Sequence, residues 1–149
     1  MNQDPKRAKF ELSSALKGIQ KSVSEMNYVL FDLHPFYTDQ MNLKTALEKM
    51  IYIFNCNDEY KVKFRIDPVS CESEWLIISI YRIVLECFKN IKNHTGTKNI
   101  LFILEEKKKE IDIQIEDDGI GDFDFSYIQN SIYLLGGKLE ITQRSEERR

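Results

Sequence analysis

The feature that most constrains this chain is a change of hydrophobic period. From about Glu72 to Asn93, Trp75, Leu76, Ile77, Ile80, Ile83, Val84 and Phe88 fall at helical spacing. A little further on, Ile111, Ile113 and Ile115 alternate with Asp112, Gln114 and Glu116, the period-two pattern of a strand with one buried face. A helix with an apolar stripe and a strand with an apolar face must each be covered by another element, so the pair calls for helices layered on a sheet. The polar residues on these two elements carry the chemistry. Glu86, Asn90 and His94 follow one another at i, i+4 and i+8 on the helix, setting a carboxylate, an amide and an imidazole close to one face. The strand runs into Asp117-Asp118-Gly119-Ile120-Gly121, which adds a carboxylate and a bend with no Cβ in the way. Together these read as a nucleotide site between a helix and a strand end. Taken singly, each has a plainer reading: a polar stripe on a half-buried helix, and a tight turn.

The rest of the chain fits the same layered plan. Residues 1–6 are polar and expected to be loose. From about Arg7 to Leu33 there is no proline and one glycine, and Phe10, Leu12, Ala15, Leu16, Ile19, Val23, Met26, Val29, Leu30 and Leu33 give a long amphipathic helix. His34-Pro35 ends it, because the residue before proline avoids helical angles. Its stripe serves either the core or a dimer seam; one helix ahead of a domain has little else to bury against, which favours the seam. Asn42 caps a second helix, Leu43 to about Phe54. Asn55-Cys56-Asn57-Asp58 is a turn, and Tyr60–Ile66 alternates as a strand closed by Pro68. Thr95-Gly96-Thr97 ends the third helix. Strands Asn99–Glu105 and Glu110–Glu116 follow, joined by the charged tip Glu106-Lys107-Lys108-Lys109. Phe125–Leu135 reads as a helix stopped by Gly136-Gly137, Lys138–Thr142 as a short strand, and Gln143–Arg149 as a frayed polar tail. The expected fold is α+β: a two-layer sandwich with helices on one face of a mixed β-sheet, preceded by a long N-terminal helix. The expected division is 1–36 for the N-terminal helix, 37–142 for the sandwich and 143–149 for the tail.

Composition narrows the classes. The 149 residues suit one domain, and 42% hydrophobic with 30% charged residues is ordinary for a globular protein. A net charge of −3 gives no electrostatic argument for nucleic acid or an anionic membrane surface. Cys56, Cys71 and Cys87 are odd in number and lack metal spacing, as reduced thiols of a cytoplasmic chain would be. No apolar run nears the roughly 18 residues of a membrane span, so membrane contact by this chain is not expected. A cytoplasmic portion of a membrane-bound protein would look the same.

The motifs resemble a known family. From about Glu25 to Ile141 the chain is similar to the ATP-binding domain of sensor histidine kinases, the GHKL or Bergerat fold. The branch it most resembles partners NarL-type regulators. Asp32-Leu33-His34-Pro35 with Leu43-Lys44-Thr45-Ala46-Leu47 looks like the join between dimerisation helix and ATPase domain. Tyr81-Arg82-Ile83-Val84 through Glu86, Asn90 and His94 resembles the N-box, and Asp117–Gly121 the first glycine box. Leu135-Gly136-Gly137-Lys138-Leu139-Glu140-Ile141 resembles the segment after the ATP lid. The resemblance implies ATP and Mg²⁺ as ligands. Asn90 would bind Mg²⁺ bridging the phosphates, and Glu86 would polarise a nearby water. Asn93 and His94 would sit close to the nucleotide. Asp117 would accept a hydrogen bond from the adenine amino group, and Gly119 and Gly121 would let the backbone approach the base. The partners implied are a response regulator and a kinase dimerisation domain, with a homodimer formed through the N-terminal helix.

The departures are equally specific. The family's flexible lid and its second glycine motif are missing, since Asp122-Phe123-Asp124-Phe125-Ser126-Tyr127 runs almost directly into the next helix. Asp124 and Tyr127 stand where those glycines are expected, and Ser131 where an arginine is. Glycine amides at a helix start favour an anion, whereas Asp122 and Asp124 repel one. The resemblance also stops short of the family's last glycine-containing strand. His34 lies outside the His-Asp context of the family's phosphoacceptor, so a histidine on another polypeptide would be the target. Three functions remain: an ATP-binding kinase domain acting in trans, a degenerate ATPase-fold module that dimerises or docks a partner, and a relative of anti-sigma factors or phosphotransferases.

Overall fold

The computed structural model describes residues 5–33, 42–55, 60–93 and 96–142; between 24 and 33, side chains are described for Glu25, Met26 and Val29 alone. Four helices and three strands follow in the order α1 (Pro5–Leu33), α2 (Leu43–Asn55), β1 (Lys61–Ile66), α3 (Glu74–Lys92), β2 (Asn99–Lys107), β3 (Glu110–Asp117) and α4 (Ser126–Leu134). The α+β class and the long N-terminal helix are as expected from the sequence.

Local signals set the helix ends. Asn42 Oδ1 accepts from the Thr45 amide at 2.9 Å and from the Thr45 hydroxyl at 3.0 Å, which caps α2. Ser73 does the same for α3 through the Leu76 amide at 3.4 Å, with Glu74 in the first turn and Lys89 and Lys92 in the last, each sign matched to the helix dipole. Pro5 occupies the first position of α1, where its missing N–H loses nothing, so the helix begins inside the segment expected to be loose. The His34-Pro35 stop, most of the Asn55–Asp58 turn and the polar tail lie outside the described residues.

The strand order is β1-β2-β3, with β1 and β2 parallel and β2 and β3 antiparallel. Residues opposite one another share a face. Ile100 faces Asp117, Phe102 faces Ile115 and Leu104 faces Ile113, and this face lies under the helices. Leu43, Ala46, Leu47, Met50, Ile51 and Phe54 of α2 meet Ile80, Tyr81, Val84, Leu85, Phe88 and Ile91 of α3 above Val62, Ile66, Ile100, Phe102 and Leu104. Phe88 links the layers: its ring meets Phe54 edge-on at 5.0 Å and Phe102 at 5.9 Å. Asn55 Oδ1 accepts the Val62 amide at 3.1 Å, tying the end of α2 to the start of β1.

Two expectations need correction. Lys138–Thr142 is irregular, so the described sheet has three strands. Its period is right for a strand, but alternation selects a strand only where an edge accepts it. Here Gly136 turns the chain at φ 72°, the Gly137 amide closes onto the Ile132 carbonyl at 2.9 Å, and the segment leaves α4 without entering the ladder. The hairpin is tighter than expected: β2 and β3 pair as far as Lys107 and Glu110, leaving Lys108 and Lys109 as a two-residue turn at φ 48° and 72°.

Among the described residues, the apolar stripe of α1 is not part of the core. Phe10, Leu12, Leu16, Ile19, Val23, Met26 and Val29 are each 50–74% exposed.

Candidate functional site

The connection after α3 positions the site. Six residues, Asn93–Lys98, separate the end of α3 from the start of β2, and the start of β2 pairs with the end of β3. The last turns of α3 and the end of β3 therefore lie at one end of the domain. Glu86 and Asn90 stand one turn apart on α3, both half-buried. The Asn90 amide nitrogen is buried and has no hydrogen-bond partner among the described residues. A donor removed from water and left unmatched costs about 1–3 kcal/mol, so a folded chain keeps one only for a reason.

Cys87 sits beside Glu86. Its thiol is pushed up to about 12, chiefly by burial and secondarily by the Glu86 charge. It stays protonated near neutral pH and acts as a packing group rather than a nucleophile. Asn93 caps α3, its amide donating to the Asn90 carbonyl at 3.0 Å. Asn93 is exposed and helps line a cavity of about 380 Å³ with Glu25, Val29, Phe54, Lys89 and Lys92. His94 lies outside the described residues.

At the strand end, two adjacent carboxylates do different work. Asp117 is paired with Ile100 and so emerges on the helix-facing side. Its Oδ1 accepts from the Gly119 amide at 2.9 Å and from the Thr97 hydroxyl at 3.3 Å. Thr97 is 7% exposed, and it follows Gly96, whose φ of 78° is the left-handed turn that carries the chain from α3 into β2. Asp118 clasps the start of β2 instead. Its Oδ1 accepts the Lys98 amide at 2.8 Å and the Asn99 amide at 2.9 Å, and its Oδ2 accepts from Asn99 Nδ2 at 2.7 Å. The Asn99 amide first, then the Lys98 amide and the Asn99 side chain, hold the Asp118 carboxyl down at about 2. Gly119 is half-buried and Gly121 exposed.

Four residues, Asp122–Phe125, separate Gly121 from α4. Phe125, the residue before α4, provides no side-chain cap. Asp124 substitutes for one: its Oδ1 accepts from the Ser126 hydroxyl at 2.6 Å and the Ser126 amide at 3.0 Å, and these bonds hold its carboxyl below the usual range. Phe123 and Phe125 stack at 4.6 Å. The start of α4 thus carries its own anion.

Thr97 and Asp118 are the site residues that sequence reasoning missed. A signal existed for Asp118, since two consecutive carboxylates at a strand end face opposite sides and only one can face the helices. For Thr97 the partner lies 20 positions away, beyond any local pattern. Among the described residues no group of three or more His, Cys, Asp or Glu could hold a metal ion, and no helix is long and apolar enough to cross a membrane.

Helices over one face of a mixed sheet, with an amide-bearing helix and an Asp-Gly strand end at the same end, define an α+β domain with a polar helix–strand junction. Within that class the chain is similar to the signal transduction histidine-protein kinase/phosphatase DegS of Brevibacillus brevis, 25% identical over 132 residues, which is 88% of this chain. No family model matches. The chain spans about a third of that relative's length (34%).

Proposed function

We propose that this chain is the ATP-binding domain of a two-component sensor histidine kinase and phosphorylates a histidine carried by a separate dimerisation domain. The observation that carries this reading is the Asn90 side-chain nitrogen, buried and without a hydrogen-bond partner among the described residues: a phosphate oxygen admitted there would satisfy it, while the amide oxygen is the atom that would ligate Mg²⁺. The donor set suits Mg²⁺ bound with a nucleotide. That ion takes oxygen ligands and is commonly held by one or two protein groups plus phosphates and waters, rather than by an all-protein cage. Asn90, with Glu86 beside it, would hold Mg²⁺ and the phosphate end. Asp117 would accept from the adenine amino group, with Gly119 and Gly121 beneath the base. The bound ion would neutralise phosphate charge, and the contribution of the chain is positioning.

The exposed stripe on α1 supports a homodimer. Leu12, Leu16, Ile19, Val23 and Met26 are spaced 4, 3, 4 and 3, the seam of a two-helix coiled coil. A response regulator is the implied partner, as two-component chemistry requires. A second reading, a docking module without catalysis, is favoured by Asp124, which fills the start of α4 with negative charge where a phosphate would otherwise be welcome. Calorimetric titration with a non-hydrolysable ATP analogue, with and without Mg²⁺, separates the two. Mg²⁺-dependent binding that is lost in Asn90→Ala and Asp117→Asn supports the first, and no heat at millimolar analogue supports the second.

A further inference from the structure

Asp117 can recognise a donor only if its carboxylate is held at a fixed angle, and the structure shows what holds it. Asp117 is half-buried at the end of its strand, two residues before Gly119. Two donors bond its Oδ1. The Gly119 amide, 2.9 Å from Oδ1, closes a local turn, and the Thr97 hydroxyl, 3.3 Å from the same oxygen, reaches it from across the sheet. Thr97 is itself fixed, being 7% exposed, β-branched and therefore stiff at χ1, and placed between the Gly96 turn and the first ladder pair, Asn99 with Lys61. The backbone between Thr97 and Asp117 is locked by the Asp118 clasp on Lys98 and Asn99, and the Asp118 amide donates in turn to the Asn99 carbonyl at 3.3 Å.

We propose that Thr97 is a positioning residue for this site, orienting the Asp117 carboxylate toward the 6-amino group of an adenine ring and so setting the preference for adenine nucleotides. The proposal rests on the nucleotide-binding reading above. Its physical core is a hydroxyl donating to a charged acceptor; at 3.3 Å the contact is longer than a strong hydroxyl–carboxylate bond, and it acts by direction, from a buried and stiff side chain. Thr97→Val keeps the branched shape and removes the hydroxyl. Thr97→Ser keeps the hydroxyl and removes the methyl.

Two measurements test this on the full chain. The first needs no ligand: amide hydrogen exchange at Gly119, read by NMR. The expected result is exchange about tenfold faster in Thr97→Val and close to wild type in Thr97→Ser, with both variants folded by circular dichroism. The second is calorimetry with non-hydrolysable analogues of ATP and of inosine triphosphate, which lacks the 6-amino group. Thr97→Val should lose about tenfold in affinity for the ATP analogue and little for the inosine analogue, while Thr97→Ser keeps the discrimination. Unchanged Gly119 exchange together with unchanged discrimination in Thr97→Val overturns the proposal. Should the wild type bind neither nucleotide, the functional reading fails, and the exchange arm alone decides whether Thr97 holds the Asp117 turn. Should Thr97→Val fail to fold, Thr97→Ala removes the same hydroxyl without adding a methyl, and both readouts apply unchanged.

Discussion

Replacing Asn90 by leucine should stabilise the unliganded domain and abolish its response to nucleotide. The amide nitrogen is buried with no partner among the described residues, on a helix whose neighbours Phe88 and Ile91 are core. An unmatched buried donor costs about 1–3 kcal/mol, and an apolar group of similar size removes that penalty while adding apolar contact. Leucine is also the better helix former, by a few tenths of a kcal/mol. Because Asn90 is only half-buried as a residue, the lower part of the range applies, about 1–2 kcal/mol of added stability. For a domain of this size that corresponds to a rise in Tm of roughly 3–6 °C, measurable by scanning fluorimetry and checked by urea denaturation with an unchanged slope. The second half of the test is linkage. A ligand that binds only the native state raises stability as its concentration exceeds Kd, so Mg²⁺ with an ATP analogue should raise the wild-type Tm and leave Asn90→Leu where it is. A variant less stable than wild type would refute the reasoning, since it would mean that the amide is satisfied in solution. A stabilised variant that still responds to nucleotide would keep the stability argument and remove Asn90 from the site.

Three further outcomes follow from the same geometry. Phe88→Ala should cost about 3–5 kcal/mol in chemical denaturation, because the ring is fully buried and joins α2 to β2 through Phe54 and Phe102. Lys109→Gly should stabilise by about 0.5–1 kcal/mol: a left-handed residue other than glycine costs roughly 1–2 kcal/mol, and the unfolded-state entropy of glycine returns part of that. The Asp118 clasp should show a defined pH dependence. Its folded carboxyl is lowered from 3.8 to about 2, so its contribution is fully present above pH 3.8 and is lost as pH falls through about 2. Amide exchange at Lys98 and Asn99, corrected for intrinsic rates, should accelerate across that window and not above it, and protection that persists below pH 2 would count against the clasp.

What could be read from the sequence and what could not divides along physical lines. Period and caps act locally, so α2 with its Asn42 cap, the β2 and β3 ladder and the helix-over-sheet layering were all visible in the order of residues. The stripe of α1 was visible too, and its exposure agrees with the argument that it has no core to join. The errors occur where a segment depends on something distant. Lys138–Thr142 has strand period but no ladder partner, and Lys108-Lys109 forms a two-residue turn without the Asn-Gly signal that usually marks one. Trp75 lies on a helix read as strongly apolar and is 62% exposed, because periodicity gives a face and not its partner. Thr97 and Asp118 were hidden for the same reason, since each acts across a gap of 19 or 20 residues.

The junction between Gly121 and α4 is where the two functional readings part. A nucleotide needs recognition at its base and charge neutralisation at its phosphates, and in the proposed site these two ends would be treated differently. At the base end, Asp117 is oriented by two donors and its backbone is clasped by a third set, which is the pre-organisation a specific contact requires. At the phosphate end, the first turn of α4 has already spent its Ser126 amide on Asp124, and the helix dipole there is met by a resident carboxylate. An incoming phosphate must displace that carboxylate or remain outside its reach, and at the distance of one helical turn the repulsion between two unit charges is about 1 kcal/mol in water and several times that where water is excluded. If ATP binds, most of its charge must therefore be answered by the cation at Asn90 and not by α4. Affinity should fall much more steeply on removing Mg²⁺ than on shortening the nucleotide to adenosine diphosphate. A domain that bound adenosine as well as its phosphates, indifferent to Mg²⁺, would have kept the base pocket and given up the chemistry, which is the docking-module reading in its sharpest form.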